Sequence, residues 1–239
     1  MTLERVPEWR GLTIAVISDL HAGAPFIDDA KIDRVVDITN DAHPDLILLT
    51  GDYVITGVVG GKYMAAEKIA AHLHRLHAPL GVYAVIGNHD RWDGAAHITD
   101  MLEKAGIPVL ENAHRLVRGK DRALYLAGIG DDYTHMADPA RALSGLPPGA
   151  NALCFTHSPD IFPALPSGCA LTVAGHTHGG QVKLPLLGRP VVPSHYWQRY
   201  AAGTIRENGK VLFVSTGIGT SILSVRLGVP PEIALVRLR

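Results

Sequence analysis

Two cysteines, Cys154 and Cys169, are too few for a disulfide framework. Cys154 lies in an apolar strand-like run, where a buried free thiol is ordinary, and this usage favours a reducing compartment. No apolar run approaches the roughly 18 residues of a membrane-spanning helix. Residues 1–10 are polar and lack the basic start and apolar stretch of an export signal. The chain as written is therefore expected to be cytoplasmic. Nor does one sign of charge dominate: 22 Lys and Arg against 23 Asp and Glu leave a net charge of −1. That balance excludes a nucleic-acid-coating chain, and 47% apolar residues exclude a disordered one. Internal repeats and low-complexity segments are also absent.

What the chain does have is length for a large buried core. Its 239 residues suit one domain spanning 1–239. Up to about Gly106, strand-type runs at 14–17, 46–49 and 82–86 alternate with helical patterns at 28–42, 62–77 and 94–105. Such alternation is the mark of βαβ crossovers and a parallel core sheet. Beyond Pro108 short strands joined by Gly, Pro and Asp turns are predicted at 109–110, 123–129, 152–155, 170–174, 200–205, 211–215 and 233–238. A second, mixed or antiparallel sheet facing the first follows, giving an α/β fold of two sheets with helices outside.

The informative pattern is where the apolar runs end. They stop at Asp19 and His21, at Asp52, at Asn88 and His89, at His157, and at His176 and His178. Open α/β sheets place ligands beyond the carboxyl ends of their strands. In extended backbone, residues i and i+2 point the same way, so Asp19 with His21 and His176 with His178 are expected to act as paired claws. Carboxylates, an amide and imidazoles gathered at one sheet edge suit two borderline divalent ions sharing a bridging carboxylate. Gly51, Gly87 and Gly175 each precede such a residue and permit a sharp turn or a close approach.

The ordered blocks Ser18-Asp19-Leu20-His21, Gly51-Asp52, Gly87-Asn88-His89-Asp90, Thr156-His157 and Gly175-His176-Thr177-His178 resemble those of the calcineurin-like metallophosphoesterase superfamily. The tail, with His178-Gly179-Gly180-Gln181-Val182, Ser215-Thr216-Gly217-Ile218-Gly219-Thr220-Ser221, Arg226 and Pro231-Glu232-Ile233, is similar to its bacterial branch typified by the YkuE and YaeI phosphoesterases. The resemblance implies a four-layer αββα sandwich of two mixed sheets. It implies that Asp19, His21 and His178 hold one metal, that Asn88, His157 and His176 hold the other, and that Asp52 bridges them, with a hydroxide between the ions as nucleophile. His89 would bind the phosphate or protonate the leaving oxygen, and Asp90 would orient its ring. The ions open to this donor set are Mn, Fe and Zn, with Co and Ni beside them.

The resemblance further implies a phosphodiester or diphosphate of a small molecule as substrate, nucleotide- or lipid-linked, with no nucleic-acid partner and with peripheral membrane contact. A hydrolase acting on UDP-2,3-diacylglucosamine, and a metal-binding scaffold without turnover, are the alternatives. Arg91, His195 and Trp197 are candidate substrate contacts, with loop packing as the plainer reading; Trp92 and Asp93 share it. Asp131-Asp132 reads as a turn, and Arg226 as a phosphate contact or the partner of Glu232. His72, His74 and His77 diverge on a helix without a carboxylate partner, so they read as a solvated face, as do His43, His97, His114 and His135.

Overall fold

A computed structural model describes residues 1, 3, 6–119 and 123–239. Its first sheet is built on β1 (Thr13–Ile17), with β2 (Leu46–Leu49) and β3 (Val82–Ala84) running parallel to it. The crossovers are α1 (Asp29–Asp41) and α2 (Ala66–Leu73), while α3 (Asn88–Lys104) follows β3. In α1 the Asp28 carboxylate accepts the Lys31 N–H at 2.9 Å, satisfying an amide that no helical carbonyl reaches. Ile32, Val35, Val36 and Thr39 form its buried stripe.

The second sheet contains β4 (Ala113–Arg118), β5 (Ala123–Gly128), β6 (Ala152–Phe155), β7 (Cys169–Ala174), β8 (Gly203–Glu207) and β9 (Lys210–Val214). Its order is β4-β5-β6-β7-β9-β8, parallel from β5 through β9 and antiparallel at both edges. The last strand, β10 (Ala234–Arg237), leaves this sheet and joins the first beside β1, antiparallel. Both sheets are therefore mixed.

Strand alternation sorts side chains into layers. Ile14, Val16, Leu46 and Leu48 face Leu126, Leu153, Phe155, Leu171 and Val173 of the other sheet in one buried cluster. Their neighbours Ala15, Ile17, Ile47 and Leu49 turn the other way and pack on Ile32, Val36, Ile69 and Ile98 of the three helices. Each fully buried Leu or Ile contributes about 2 kcal/mol by transfer from water. On the far side of the second sheet, Ala127, Cys154, Leu212 and Val214 are covered by Phe162 and Tyr200. Those two rings ride on short 3₁₀ segments, Pro159–Ala164 and Trp197–Tyr200, so the fourth layer is helical turns rather than long helices. The result is the expected αββα sandwich.

Several expectations need correction. The strand expected at 109–110 is one isolated bridge, Ala84 to Val109. The true edge strand is β4, whose side chains, Val117 excepted, are only partly buried or exposed and so lack an apolar run. The strand expected at 200–205 begins at Gly203, because Tyr200 closes a 3₁₀ segment. The helix expected at 94–105 starts at Asn88, ahead of its apolar spacing, and Gly94 interrupts it with φ 135°. Cys154 and Cys169 are joined in a disulfide with Cα atoms 5.6 Å apart. Parallel pairing of β6 with β7 brings the two residues together, and the cysteine argument for a reducing compartment falls. No helix among the described residues is long and apolar enough to cross a membrane.

Candidate metal centre

Asp19, His21, Asp52, Asn88, His157, His176 and His178 converge beyond the carboxyl ends of strands from both sheets, all of them buried. Asp52 sits centrally. Its Oδ1 accepts the His89 N–H at 2.9 Å from the first turn of α3, leaving Oδ2 to face His157 Nε2 at 3.3 Å and His21 Nε2 at 3.6 Å. On one side His21 Nε2 lies 3.2 Å from His178 Nε2, and His178 Nε2 lies 3.5 Å from Asp19 Oδ1. On the other, His157 Nε2 lies 3.0 Å from Asn88 Oδ1 and 3.1 Å from His176 Nδ1.

Three groups have ligand atoms close enough to share an ion: Asp19, His21 and His178; Asp52, His157 and His176; and His21, Asp52 and His89. The donor set fits a divalent cation of the borderline class. Burial drives His21 and His178 down to about 3 and His176 down to about 4, so these rings are neutral and their lone pairs are available. His21 Nδ1, His176 Nε2 and His178 Nδ1 are buried without a hydrogen-bond partner. The nitrogens that face the cluster are the other ones, His21 Nε2, His178 Nε2 and His176 Nδ1, crowded against one another and against Asp19, Asp52 and His157, and a cation held there would give their lone pairs a common partner. His157 differs. Burial opposes its charged form, yet the Asp52 carboxylate holds it well above the usual imidazole range. Its Nδ1 donates to the Thr50 carbonyl at 2.7 Å, which directs Nε2 into the cluster.

The paired claws do not arise from strand alternation. β1 ends at Ile17, and Asp19 and His21 have φ of 51° and 45°; Asp52, His176 and His178 are also left-handed, at 57°, 69° and 49°. Non-glycine residues in this region cost about 1 kcal/mol each and cluster at functional sites. The chain turns over itself after each strand, and those turns aim the side chains inward. Gly51 needs its φ of 95° and leaves room for the Gly87 amide, which a Cβ would approach to 2.6 Å.

Asp90 lies elsewhere than expected. Its carboxylate accepts backbone N–H groups from Asp52 and Tyr53 at 2.8 Å, Gly87 at 3.0 Å and Val54 at 3.3 Å. It therefore ties the loop after β2 to the loop before α3, and it does not hold the His89 ring. Burial and the nearby Asp52 charge push it up to about 7 against the pull of those donors. The His89 ring is held by Thr56: the Thr56 N–H donates to Nδ1 at 3.2 Å, and the Thr56 hydroxyl contacts the same nitrogen. Since an amide can only donate, neutral His89 carries its proton on Nε2.

Of the expected substrate contacts, Arg91 forms an ion pair with Glu111. His195 is exposed, and its backbone N–H donates to Asp160 at 2.7 Å. Neither His195 nor the exposed Trp197 makes a hydrogen bond or ring contact with the cluster among the described residues. Among the described residues Arg226 forms no ion pair with Glu232. Its guanidinium donates to carbonyls including Thr216 at 2.8 Å, Gly219 at 2.5 Å and His178 at 3.5 Å. It thereby braces the loop over Asp19, while Glu232 accepts the Thr216 N–H at 2.8 Å.

Four more residues stand near the centre, of which Thr56 and Tyr133 carry no signal by type or spacing. Asp131, fully buried, adds to the rise of His157 and opposes the fall of His176 through its negative charge, so it is more than a turn residue. Tyr133 packs on His176 with centroids 4.7 Å apart, and Trp92 on His89 at 4.9 Å.

Residues 12–180 match the family model described as calcineurin-like phosphoesterase. The phosphodiesterase YaeI of Escherichia coli K12 is 31% identical over 94% of this chain and 81% of its own. The uncharacterised metallophosphoesterase YkuE of Bacillus subtilis 168 is 28% identical over 96% of this chain and 79% of its own. The crystal structure of a 5′-nucleotidase precursor from Thermus thermophilus superposes with TM-score 0.53 at 17% identity, covering 85% of this chain and 48% of that one, a likeness of fold.

Proposed function

Since this chain belongs to the calcineurin-like phosphoesterase family and is a metal-dependent phosphoester hydrolase, we propose that it cleaves a phosphodiester or diphosphate bond of a small molecule at a two-ion centre. The observation that carries this reading is Asp52. One of its oxygens is held by the start of α3, and the other faces imidazoles of both ligand groups. Asp19, His21 and His178 would hold one ion, Asn88, His157 and His176 the other, and Asp52 both.

Two divalent ions held there would supply an acidified water as nucleophile and positive charge against the phosphate oxygens. The chain's own groups do the rest. Thr50 and Thr56 fix the ring orientations of His157 and His89. His89, with Nε2–H available, donates to a phosphate oxygen or to the leaving oxygen. Asp90 keeps Asp52 and the Gly87-Asn88 segment in register. Nitrogen and oxygen donors without a thiolate suit Mn, Fe and Zn, with Co and Ni also admitted. Asp52→Ala and Asn88→Ala should each abolish metal-dependent hydrolysis of bis(4-nitrophenyl) phosphate; undiminished turnover in both variants would contradict the reading.

A second substrate reading is favoured by one surface feature. Leu186 and Leu187, 107% and 72% exposed, cap a turn closed by Leu184 and Gly188. The adjoining loop exposes Ile222, Leu223, Val225 and Leu227, and Gln181 ties the two together through the Leu223 carbonyl at 3.0 Å. Apolar loop tips of this kind suit peripheral contact with a membrane and a lipid-linked diphosphate such as UDP-2,3-diacylglucosamine. Co-sedimentation with phospholipid vesicles that is lost in Leu186→Ser/Leu187→Ser is the expected result, and equal sedimentation of both proteins would remove it.

A further inference from the structure

Two aromatic side chains close an arc of rings around the ligand cluster. Tyr133 packs on His176 and Trp92 on His89, and Trp92 meets Tyr133 edge to face with centroids 6.3 Å apart. The arc continues from His89 to His21 at 4.7 Å and from His176 to His157 at 4.9 Å. The imidazoles of the arc are buried, whereas Trp92 and Tyr133 are 57% and 46% exposed. An aromatic pair that served only to pack the histidines would gain by being covered; this pair keeps ring surface open at the rim of the centre.

Each ring stands on held backbone. Trp92 lies in the first turns of α3, between the Asn88 ligand and the break at Gly94. Tyr133 lies in the loop after β5, where the Asp131 carboxylate accepts the N–H of Tyr133 at 3.3 Å and of Thr134 at 3.0 Å. The neighbouring cation, Arg91, is engaged by Glu111. The rim thus offers ring faces rather than a free positive charge, which suits a flat, uncharged group better than a second phosphate. An alkyl chain would be matched by aliphatic side chains, and the arc is made of aromatic rings alone. Stacking on such faces tolerates any planar ring.

The geometry points to Trp92 and Tyr133 as the subsite that takes a planar aromatic substituent of the phosphoester, an aryl or nucleobase ring, next to His89 and His176. This specificity subsite rests on the reading of the cluster as a phosphoester-hydrolysing centre. Its consequence is a preference for phosphoesters carrying a ring over those carrying a small alkyl group.

The test is equilibrium binding, which needs no turnover. Adenosine 5′-monophosphate should quench tryptophan fluorescence of the wild-type protein saturably, whereas methyl phosphate should not. That quench should vanish in Trp92→Phe, which removes the reporter and keeps a ring. Competition against a second, labelled nucleotide then gives affinities without the reporter. Tyr133→Leu, similar in bulk but not aromatic, should weaken adenosine 5′-monophosphate about tenfold. Tyr133→Phe should restore its affinity, and methyl phosphate should bind all forms alike. In metal-loaded protein the Tyr133→Leu effect on bis(4-nitrophenyl) phosphate should fall on KM more than on kcat. Equal weakening of adenosine 5′-monophosphate and methyl phosphate in Tyr133→Leu, or no weakening of either, overturns the subsite. Ring-dependent binding in a protein that hydrolyses no ester under any metal would support the subsite and count against the hydrolytic reading alone.

Discussion

The Asp90 carboxylate accepts the backbone N–H of Asp52 at 2.8 Å and so sets where the central carboxylate of the cluster stands. The same carboxylate accepts Gly87, Tyr53 and Val54, binding two loops at the carboxyl edge of the first sheet. Asp90→Asn keeps the shape but turns an amide NH₂ toward backbone donors. It should cost about 3 kcal/mol in urea unfolding and weaken metal binding by about tenfold or more. Unchanged stability together with unchanged metal affinity would show that the loops hold themselves.

Arg226 makes a second cross-tie, through carbonyls of Thr216, Gly217, Gly219 and His178. Burial lowers its pKa, but Asp19 and Glu232 oppose that shift and the group stays charged. A lysine brings a compact ammonium where a planar fork serves several acceptors. Arg226→Lys is therefore expected to destabilise by about 2 kcal/mol, read as a lower thermal midpoint, whereas an unchanged midpoint would mean that water can replace the fork.

The helix-to-helix contact on the outer face is pH-sensitive. Burial disfavours the charged His72 ring, but hydrogen bonds to Asp33 at 2.7 Å and Asp29 at 2.9 Å outweigh it and raise the pKa. A folded value above the unfolded one of about 6.5 means that the stabilisation is full below that pH and is lost as pH rises through the folded value. His72→Asn should thus lose about 0.5 kcal/mol at pH 6 and nothing at pH 9. A difference from wild type that does not vary with pH would refute the assignment of charge.

The pairing of Cys154 with Cys169 closes a loop with a sequence separation of 15. A loop of that size restrains the unfolded chain by about 3 kcal/mol. Denatured, oxidatively refolded protein should show no titratable thiol before reduction, and reduction should lower stability by about that amount. Free thiols in the unreduced sample would contradict the pairing.

Much of this fold is written in local pattern. The apolar strands of the first sheet and the α1 stripe follow from spacing, and so does the nearness of Asp19 to Asp52, which follow the neighbouring parallel strands β1 and β2. Long-range pairing is not local. Nothing near Ala234 announces that β10 crosses back to β1, and nothing within Ala113–Arg118 marks β4, whose partner β5 stabilises it. At the centre, residue types were legible but roles set by backbone were not. Asp90 looks like a partner for the adjacent His89, yet the start of α3 points it at amides, and the ring is held by Thr56, distant in sequence. His72 lacks a carboxylate on its own helix, but α1 supplies two. Tyr133 and Trp92 meet only in three dimensions.

Sharing of Asp52 by two ions is tested by elemental analysis of protein reloaded with Mn²⁺ or Zn²⁺ and freed of loosely held metal. About two ions per chain are expected in the wild type, and less than one in Asp52→Ala because both sites would lose a ligand. Wild-type protein that retains no ion, or an Asp52→Ala variant that retains as much metal as the wild type, would contradict it.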